Sequence, residues 1–491
     1  MPGTVRIREI SLLLLLVGCG SATIVGEDGG AGSKGAAGGS GGAVGGVAGT
    51  GGAAGATVGI GGAAGATGGT GGAAGATGGI GGAAGATGGI GGAAGATGGI
   101  GGATGGIGGA GGLCLAGQTV CTNACATLSS DGANCGSCGH SCQGGTCSSG
   151  TCGPVKLATF SVASGIPQGL AVNSTTVFTT IPGSASWALY GVAKTAQNVT
   201  PSPILMLPAA NNTAYIGATD SLIIFTPFQG GQGGAFPTVY SCNPASCSSS
   251  QQTWFSPGNN RWITCDPVAQ ECFFQLANQT AVQYAKLGTT SQTSLTSFTP
   301  VLNIALNGIS AAANGSLYSA GTYSTTLAFP VLQRVSEDGT SGVSTLANFT
   351  STVAGTTNSL FGPVIVTTTQ VFMEGMVNDG VNEPTVGIMS VQLPLGVGNA
   401  APSFISGTTT QTEQGFVNYW ADDNGIVFAS PAEQFVSCPT TGCGGTPHVL
   451  ADSSQAENSL VGDAQAIYWI NEIVDPNTGT VTSAALMKVA R

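Results

Sequence analysis

Charged side chains are scarce in this sequence of 491 residues. Only 6% of the residues are Asp, Glu, Lys or Arg, against about 25% in an ordinary soluble domain. From residue 155 onward the chain holds 7 basic and 17 acidic residues, and no cluster of Lys or Arg occurs anywhere. Proteins that bind nucleic acid neutralise phosphates with basic side chains. The sequence therefore argues against a nucleic-acid partner.

Histidine, the usual general base of enzymes, is nearly absent. The chain has two histidines, and only His448 lies after residue 155; we predict a structural or surface role for it. From residue 155 onward the chain also lacks the GxSxG, HExxH and GxGxxG motifs and a P-loop lysine. We therefore expect no catalytic residues, no metal ion and no cofactor.

The apolar run near the N-terminus, from Ile10 to Val17, is far too short to span a bilayer. Arg6 and Arg8 precede the run, which is the order of a secretory signal. The run ends in Leu16-Val17-Gly18-Cys19. We interpret residues 1–18 as a signal peptide.

The sequence LVGC at residues 16–19 resembles a bacterial lipobox. The resemblance implies cleavage before Cys19 and attachment of lipid to its thiol, so the membrane would be a partner through that lipid. It also implies a cell-envelope lipoprotein, periplasmic or surface-exposed, and Gly20 in place of Asp favours the outer membrane. The alternative is an ordinary signal peptide with an incidental cysteine.

Residues 19–112 contain no proline and no charge after Lys34. Residues 51–100 are five near-perfect copies of a ten-residue unit, mostly GGAAGATGGI. A collagen helix needs glycine at every third position without slippage, and here the phase slips once per unit. We predict a disordered tether with a reach of roughly 50–60 Å. Neutral repeat expansion without a selected length is the alternative.

Residues 113–153 form a predicted disulfide-rich module with almost no aliphatic core. Its eight cysteines are Cys114, Cys121, Cys125, Cys135, Cys138, Cys142, Cys147 and Cys152. Four disulfides are expected, and their connectivity stays open. The alternative is a zinc site at Cys135, Cys138, His140 and Cys142. The run NCGSCGHSC resembles cysteine-rich repeats of secreted myxobacterial proteins, which implies no known chemistry.

From residue 155 to 491, short apolar runs alternate with turns, a pattern that predicts an all-β domain. An aliphatic-aromatic pair, once Phe-Phe, recurs after a polar turn every 40–56 residues. The seven pairs are Val177-Phe178, Ile224-Phe225, Phe273-Phe274, Leu317-Tyr318, Val371-Phe372, Val427-Phe428 and Ile467-Tyr468. Each pair lies on one of four short strands per unit, with one strand before it and two after it. We predict a seven-bladed β-propeller, with six or eight blades or two β-sandwiches as alternatives.

The two ends of this domain support a closed ring. The last unit runs out of chain after its third strand, while VKLATF at 155–160 resembles fourth strands such as STLANF at 344–349. We therefore predict that the segment beginning at Val155 completes the seventh blade. The runs GCGGTPHVLAD and DAQAIYWIN resemble propeller repeats of myxobacterial surface lipoproteins, which implies architecture only.

Six cysteines of this domain form three sequence-local pairs, and we expect each pair to be a disulfide. The pairs are Cys242 with Cys247, Cys265 with Cys272, and Cys438 with Cys443. The first and third would each follow a third strand. The second would cross a hairpin of the third blade.

Several acidic residues and tryptophans are candidate site residues. The acids are Asp422-Asp423, Glu337-Asp338, Glu374, Asp379 and Glu383, and their neighbours make turn formation the favoured interpretation. Asp422, Asp423 and Asn424 offer oxygen ligands for calcium as an alternative. Trp187, Trp420 and Trp469 would stack on sugars if exposed, but burial is favoured.

The leading functional hypothesis is a non-catalytic surface module whose propeller binds an unknown protein or glycan. The alternatives are a polysaccharide hydrolase or lyase that uses paired carboxylates, and a purely structural envelope protein. An acidic pocket would favour the enzyme, and a broad aromatic face would favour the binding module.

Overall fold

The chain is described from a computed structural model. It describes residues 114–122, 124–210, 212–228, 238–255, 260–276, 282–287, 293–295, 310–313, 315–321, 331–336, 343–348, 357–378, 385–393, 403–405, 408, 419–430, 432–444, 447–452, 456–475, 478 and 480–491. The predicted signal peptide, Cys19 and the tether lie outside these residues. In the part that is described, no helix has the length and apolar character needed to cross a membrane.

Contacts divide the chain into two compact units, with the boundary between His140 and Ser141. In the first unit, strands β1 (Thr119–Cys121) and β2 (Ala124–Ala126) form a hairpin. Disulfides join Cys114 to Cys125 and Cys121 to Cys138. These covalent links stabilise a segment that has few apolar side chains to bury.

The second unit begins with a small hairpin of β3 (Cys147–Ser148) and β4 (Thr151–Cys152). A disulfide joins Cys142 to Cys152. All fourteen cysteines from Cys114 onward are disulfide-bonded. This bonding leaves no free thiolate at Cys135, Cys138 or Cys142 for the alternative zinc site.

The rest of the second unit is built from seven four-stranded antiparallel sheets. This arrangement confirms the predicted seven-bladed β-propeller. The first strands of the blades are β6 (Gln168–Val172), β10 (Asn212–Ala218), β14 (Asn260–Asp266), β18 (Ser310–Ala313), β22 (Thr357–Val366), β26 (Tyr419–Ala421) and β30 (Ala456–Gly462). The second strands are β7 (Thr176–Ile181), β11 (Ile223–Phe228), β15 (Glu271–Leu276), β19 (Ser316–Gly321), β23 (Gln370–Asn378), β27 (Ile426–Ala429) and β31 (Ala466–Val474).

Two further strands complete each blade. The third strands are β8 (Gly183–Ala193), β12 (Val239–Cys242), β16 (Val282–Lys286), β20 (Val331–Ser336), β24 (Thr385–Gln392), β28 (Gln434–Cys438) and β32 (Val481–Ala490). The fourth strands are β9 (Pro203–Ala210), β13 (Gln252–Phe255), β17 (Thr293–Leu295), β21 (Val343–Asn348), β25 (Ser403–Phe404), β29 (His448–Asp452) and β5 (Val155–Ser161). A short helix, α1 (Cys247–Ser250), follows β12, and a 3-10 turn at Val162–Ser164 follows β5.

The recurring pairs of the sequence all lie on second strands and are buried. Within the third blade, for example, Phe273 and Phe274 are both fully buried. Adjacent residues of a strand point to opposite faces of the sheet, so burial of both means that both faces of the blade are covered. Neighbouring blades supply that cover, which explains why the sequence shows runs of apolar residues at these strands.

First strands of neighbouring blades contact one another at six of the seven junctions described and so surround the axis of the ring. The ring closes because β30 of the last blade contacts β6 of the first. In the seventh blade, β5 pairs antiparallel with β32, from Val155 opposite Lys488 to Ser161 opposite Ser483. The predicted completion of the seventh blade by the segment at Val155 is thus confirmed.

The ring has two different faces. Connections between first and second strands are two to four residues long and lie on one face, which we call the turn face. Connections between second and third strands, and between consecutive blades, lie on the opposite face, which we call the loop face. They are longer in places: β17 ends at Leu295 and β18 begins at Ser310.

The three cysteine pairs of the propeller are joined as disulfides. Cys265 and Cys272 face each other across the hairpin of β14 and β15. The Cys242–Cys247 and Cys438–Cys443 bonds follow third strands. The Cys242–Cys247 and Cys438–Cys443 bonds thus close short loops on the periphery of their blades, whereas Cys265–Cys272 closes a turn between a first and a second strand.

Candidate functional site

A recess of about 680 Å³ opens on the turn face. Six of the seven blades contribute first-to-second-strand turns to its lining, which places it at the axis of the ring. The lining mixes apolar and polar residues and includes four aspartates, Asp220, Asp422, Asp423 and Asp463, with Lys194 as the basic member. We refer to it as the turn-face recess.

One local motif builds most of these turns. An oxygen of the residue at the start of the turn accepts backbone N–H groups two and three residues later. The residues are Asn173, Asp266, Thr367, Asp422 and Asp463. Side chains of this type form such turns because their oxygen replaces a backbone acceptor. The predicted turn-forming role of Asp422 is therefore what the structure describes.

Ser174 and Asp220 join the neighbouring first and second blades at the edge of the recess. The Ser174 backbone N–H and hydroxyl both donate to one carboxylate oxygen of Asp220, at 2.9 and 2.6 Å. The amide of Asn173 donates to the carbonyl oxygen of Thr219 in the same pair of turns. Asp220 therefore connects two blades as well as facing the recess.

Asp423 makes the equivalent connection between the fifth and sixth blades. The hydroxyls of Thr368 and Thr369 donate to its two carboxylate oxygens at 2.6 and 2.9 Å, and the Thr369 N–H donates at 3.2 Å. Asp423 is paired with neutral donors in these contacts, as Asp220 is. Both carboxylates therefore line the recess while bonded to neutral donors, and the nearby Lys194 ammonium additionally lowers the pKa of Asp220.

Asp463 joins the seventh blade to the first through a cluster of polar groups. Lys194 forms an ion pair with its carboxylate at 2.6 Å, and the Tyr468 hydroxyl donates to the same oxygen at 3.0 Å. The buried amine of Lys488 donates to the carbonyl oxygen of Lys194 at 2.9 Å. This cluster lies where the two ends of the propeller meet.

Asp422 is buried and is paired with Arg491. The two Nη atoms of the guanidinium donate to the two carboxylate oxygens at 2.5 and 3.0 Å. A guanidinium in this position occupies the oxygens that calcium would need. The calcium alternative at Asp422, Asp423 and Asn424 is therefore not supported by these contacts.

Three carboxyl groups of the recess, those of Asp220, Asp423 and Asp463, have lowered pKa values. Hydrogen bonds from Ser174 lower the pKa of Asp220. Burial tends to raise the pKa of Asp423 and Asp463, but hydrogen bonds from threonines in the first case and from Lys194 and backbone amides in the second outweigh it and lower the pKa. Burial also lowers the pKa of the Lys488 amine.

The remaining candidate acids do not join the recess. Glu374 is buried on β23, where its charge, after burial itself, helps to raise the pKa of the buried Tyr419 hydroxyl. Glu337, Asp338, Asp379 and Glu383 lie outside the described residues.

The three candidate tryptophans are buried, as the sequence favours. Trp187 and Trp420 are fully buried and Trp469 is 1% exposed, so none presents a face to a sugar. His448 begins the outer strand β29 and is exposed.

Sequence reasoning missed Asp220, Asp463, Lys194 and Arg491 as residues of this face. A signal for the aspartate turns existed. A turn-forming Asn, Asp or Thr precedes most of the recurring pairs by four to seven residues, as Asn173 precedes Val177. The basic residues carry no such signal, because the sequence does not show which blade each of them contacts.

Comparisons with known proteins identify no family for this chain. No protein-family model matches it, and no curated protein matches it. Among solved structures, YCF48 from Cyanidioschyzon merolae is 10% identical with a TM-score of 0.42, over 68% of this chain and 97% of that chain. YCF48 bound to D1 peptide is 11% identical with a TM-score of 0.40, over 69% and 96%. A prolyl endopeptidase is 11% identical with a TM-score of 0.40, over 68% of this chain and 51% of its own. Such distant likeness assigns no activity to this chain.

Proposed function

We propose that this protein is a lipid-anchored envelope protein whose propeller is a non-catalytic binding module, with the turn-face recess as its ligand site. The anchor at Cys19 and the tether rest on the sequence of residues 1–112. The binding role is supported by one observation above all. Ionised Asp220 and Asp423 lie on opposite sides of an open recess at the axis of the ring and are hydrogen-bonded to neutral groups.

The charge and chemistry of the lining favour a basic segment of a partner protein over a glycan. Of the four aspartates, Asp422 and Asp463 form ion pairs with Arg491 and Lys194, whereas Asp220 and Asp423 accept hydrogen bonds from neutral donors, so we expect these two to attract a basic ligand. Complementary charge of this kind steers and selects a partner. Among the described residues that line the recess none is aromatic, so they offer no ring on which a sugar could stack.

Binding can be tested with three probes of different charge on the full chain: a lysine-rich peptide, its glutamate-rich counterpart and a neutral oligosaccharide. We expect the lysine-rich peptide to bind, with affinity that falls as salt is raised. Ser221→Arg places a positive charge on the recess lining at an exposed position and should abolish this binding. Ser248→Arg, also exposed but on α1 outside the recess, is the matched control. Binding of the lysine-rich peptide that survives Ser221→Arg, or preference for the oligosaccharide, would contradict the proposed site.

The anchor requires its own test. Cells that express the chain with a labelled fatty acid should yield labelled protein whose mature form begins at Cys19, and Cys19→Ala should carry no label. A mature chain that begins elsewhere, or label that persists in Cys19→Ala, would contradict the lipid anchor.

A polysaccharide hydrolase is the second candidate, because four aspartates line one recess. A glycosidase needs one carboxyl with a raised pKa to protonate the leaving oxygen. Asp220, Asp423 and Asp463 all have lowered pKa values. We therefore favour binding, and release of reducing sugar from envelope polysaccharides by wild type but not by Asp220→Asn would reverse that preference.

A further inference from the structure

Strand β5 is hydrogen-bonded along both of its edges. On one edge it pairs with β32 through six registered residues, from Val155 to Ser161. On the other edge, the segment Asn198–Val199 from the first blade runs alongside it in parallel. We call this segment the strap. A fourth strand of a blade is normally an open edge, so the strap gives β5 a second partner.

The strap contacts are direct backbone hydrogen bonds. The N–H groups of Asn198 and Val199 donate to the carbonyl oxygens of Lys156 and Leu157 at 2.7 and 3.0 Å, and the Thr159 N–H donates to the Val199 carbonyl at 2.9 Å. Leu157, Ala158 and Phe160 of β5 are buried. The strand is therefore held by the seventh blade, by the first blade and by its own apolar side chains.

The chain enters β5 from the turn face. Val155 lies opposite Lys488, close to the end of β32, where the Arg491 N–H donates to the carbonyl oxygen of Gln465 in a turn. The loop closed by the Cys142–Cys152 disulfide lies on this face too, because the Gln143 amide donates to Gln465 at 3.3–3.4 Å. Any pull transmitted by the N-terminal chain therefore reaches the propeller at the start of β5, on the turn face.

We propose that β5 with its strap is a load-bearing joint, which holds the propeller to the preceding chain when that chain is pulled. The biological load rests on the proposed tether. β5 and β32 are antiparallel, so the start of β5 and the start of β32 lie at opposite ends of the strand pair. Force applied between these two points therefore acts on opposite ends of the pair. Such a pull runs along both strands and loads all six registered pairs together. A pull on β5 against the end of β32 acts on the same end of the pair and separates the pairs one after another.

Single-molecule force spectroscopy on the oxidised full chain tests this joint. One handle is placed at the N-terminus, and the second is placed either between β31 and β32, within residues 475–480, or after Arg491. Forced unfolding reports the rate of barrier crossing, so the first geometry should rupture at a force about twofold or more above that of the second. Equal rupture forces in the two geometries would overturn the proposal.

A pair of proline variants tests the strap separately. Val199→Pro removes the N–H that donates to Leu157, whereas Thr200→Pro alters the next residue, which contributes none of the three strap bonds. Val199→Pro should lower the rupture force in the first geometry only, and Thr200→Pro should leave it unchanged. Equal effects of both variants, or no effect of Val199→Pro in a variant that unfolds at the wild-type temperature, would overturn a role for the strap.

These measurements need neither membrane nor ligand. Equal rupture forces would contradict the proposed load-bearing joint but would not bear on the proposed ligand site or lipid anchor. Loss of lipid from Cys19 or of peptide binding in those tests would leave the force difference in place.

Discussion

The guanidinium of Arg491 pairs with the buried carboxylate of Asp422 through two parallel hydrogen bonds and joins the seventh blade to the sixth. The same guanidinium lies over the Trp420 ring, with its carbon 4.6 Å from the ring centroid. Gly462 also lies against the indole, where it leaves no room for a Cβ. Arginine suits this place because its planar group can pair and stack at once.

Arg491→Ala should destabilise the propeller strongly. The change leaves the Asp422 carboxylate buried without its cation, and loss of one member of a buried pair typically costs about 3–5 kcal/mol. Because Arg491 keeps 13% side-chain exposure, we expect a loss of about 2–4 kcal/mol in the free energy of unfolding. Urea unfolding followed by tryptophan fluorescence measures it. Arg334→Ala, an exposed arginine over Tyr318, is the matched control, and equal losses for both would contradict this interpretation.

Gly462→Ala should also destabilise the protein, for a steric reason. A Cβ at this position would lie 2.9 Å from two carbons of the Trp420 ring, on which the Arg491 guanidinium also packs. Overpacking of this kind costs about 1–3 kcal/mol. The cost should be smaller in an Arg491→Ala background, where the ring can shift, and additive losses in the double variant would argue against this coupling.

The ion pair of Asp463 predicts a loss of stability in acid. Its pKa is lowered in the folded chain, so its contribution is fully present above the unfolded value of about 3.9 and is lost as the pH falls through the folded value. The difference in unfolding free energy between wild type and Asp463→Asn should therefore be constant near neutral pH and shrink below about pH 4. Denaturant titrations of both proteins from pH 7 to pH 3 measure this difference, and Glu433→Gln, at an exposed position, is the control. A difference that does not change with pH would show that Asp463 acts only through packing.

The peripheral disulfides should contribute modestly and independently. Cys438 and Cys443 are five residues apart, and the chain-entropy model gives about 2 kcal/mol for a loop of that length. Replacing both with alanine should lower the free energy of unfolding by that amount and leave peptide binding at the recess unchanged. The Cys242–Cys247 pair has the same separation and serves as a replicate. Loss of peptide binding in either double variant would show that binding at the recess depends on these disulfides, contrary to this prediction.

The architecture was predictable because each blade is built from the same short pattern of apolar and polar residues, which repeats along the chain. Val177-Phe178 and its six equivalents recur because each second strand is buried on both faces. Val155 could be assigned to the last blade because one blade lacked a strand and one strand lacked a blade. Both inferences need only the order of apolar and polar residues along the chain.

The recess was not predictable in the same way. Its residues come from six turns that are separated along the chain and meet only at the axis. In the sequence Asp220 resembles any aspartate in an exposed turn. Its place in the recess depends on its hydrogen bond with Ser174, 46 residues earlier. Lys194 reaches Asp463 across 269 residues, and no spacing rule connects them.

The strap also bears on the order in which the ring assembles. During synthesis β5 is made first of all the propeller strands, and β32 is made last. Leu157, Ala158 and Phe160 would otherwise remain exposed until the chain is complete, which invites pairing with other molecules. Asn198–Val199 follows β5 after only three strands, β6, β7 and β8, and offers it a partner from the same nascent chain. The strap can thus cover one edge of β5 during synthesis, until β32 is made and pairs with the other edge.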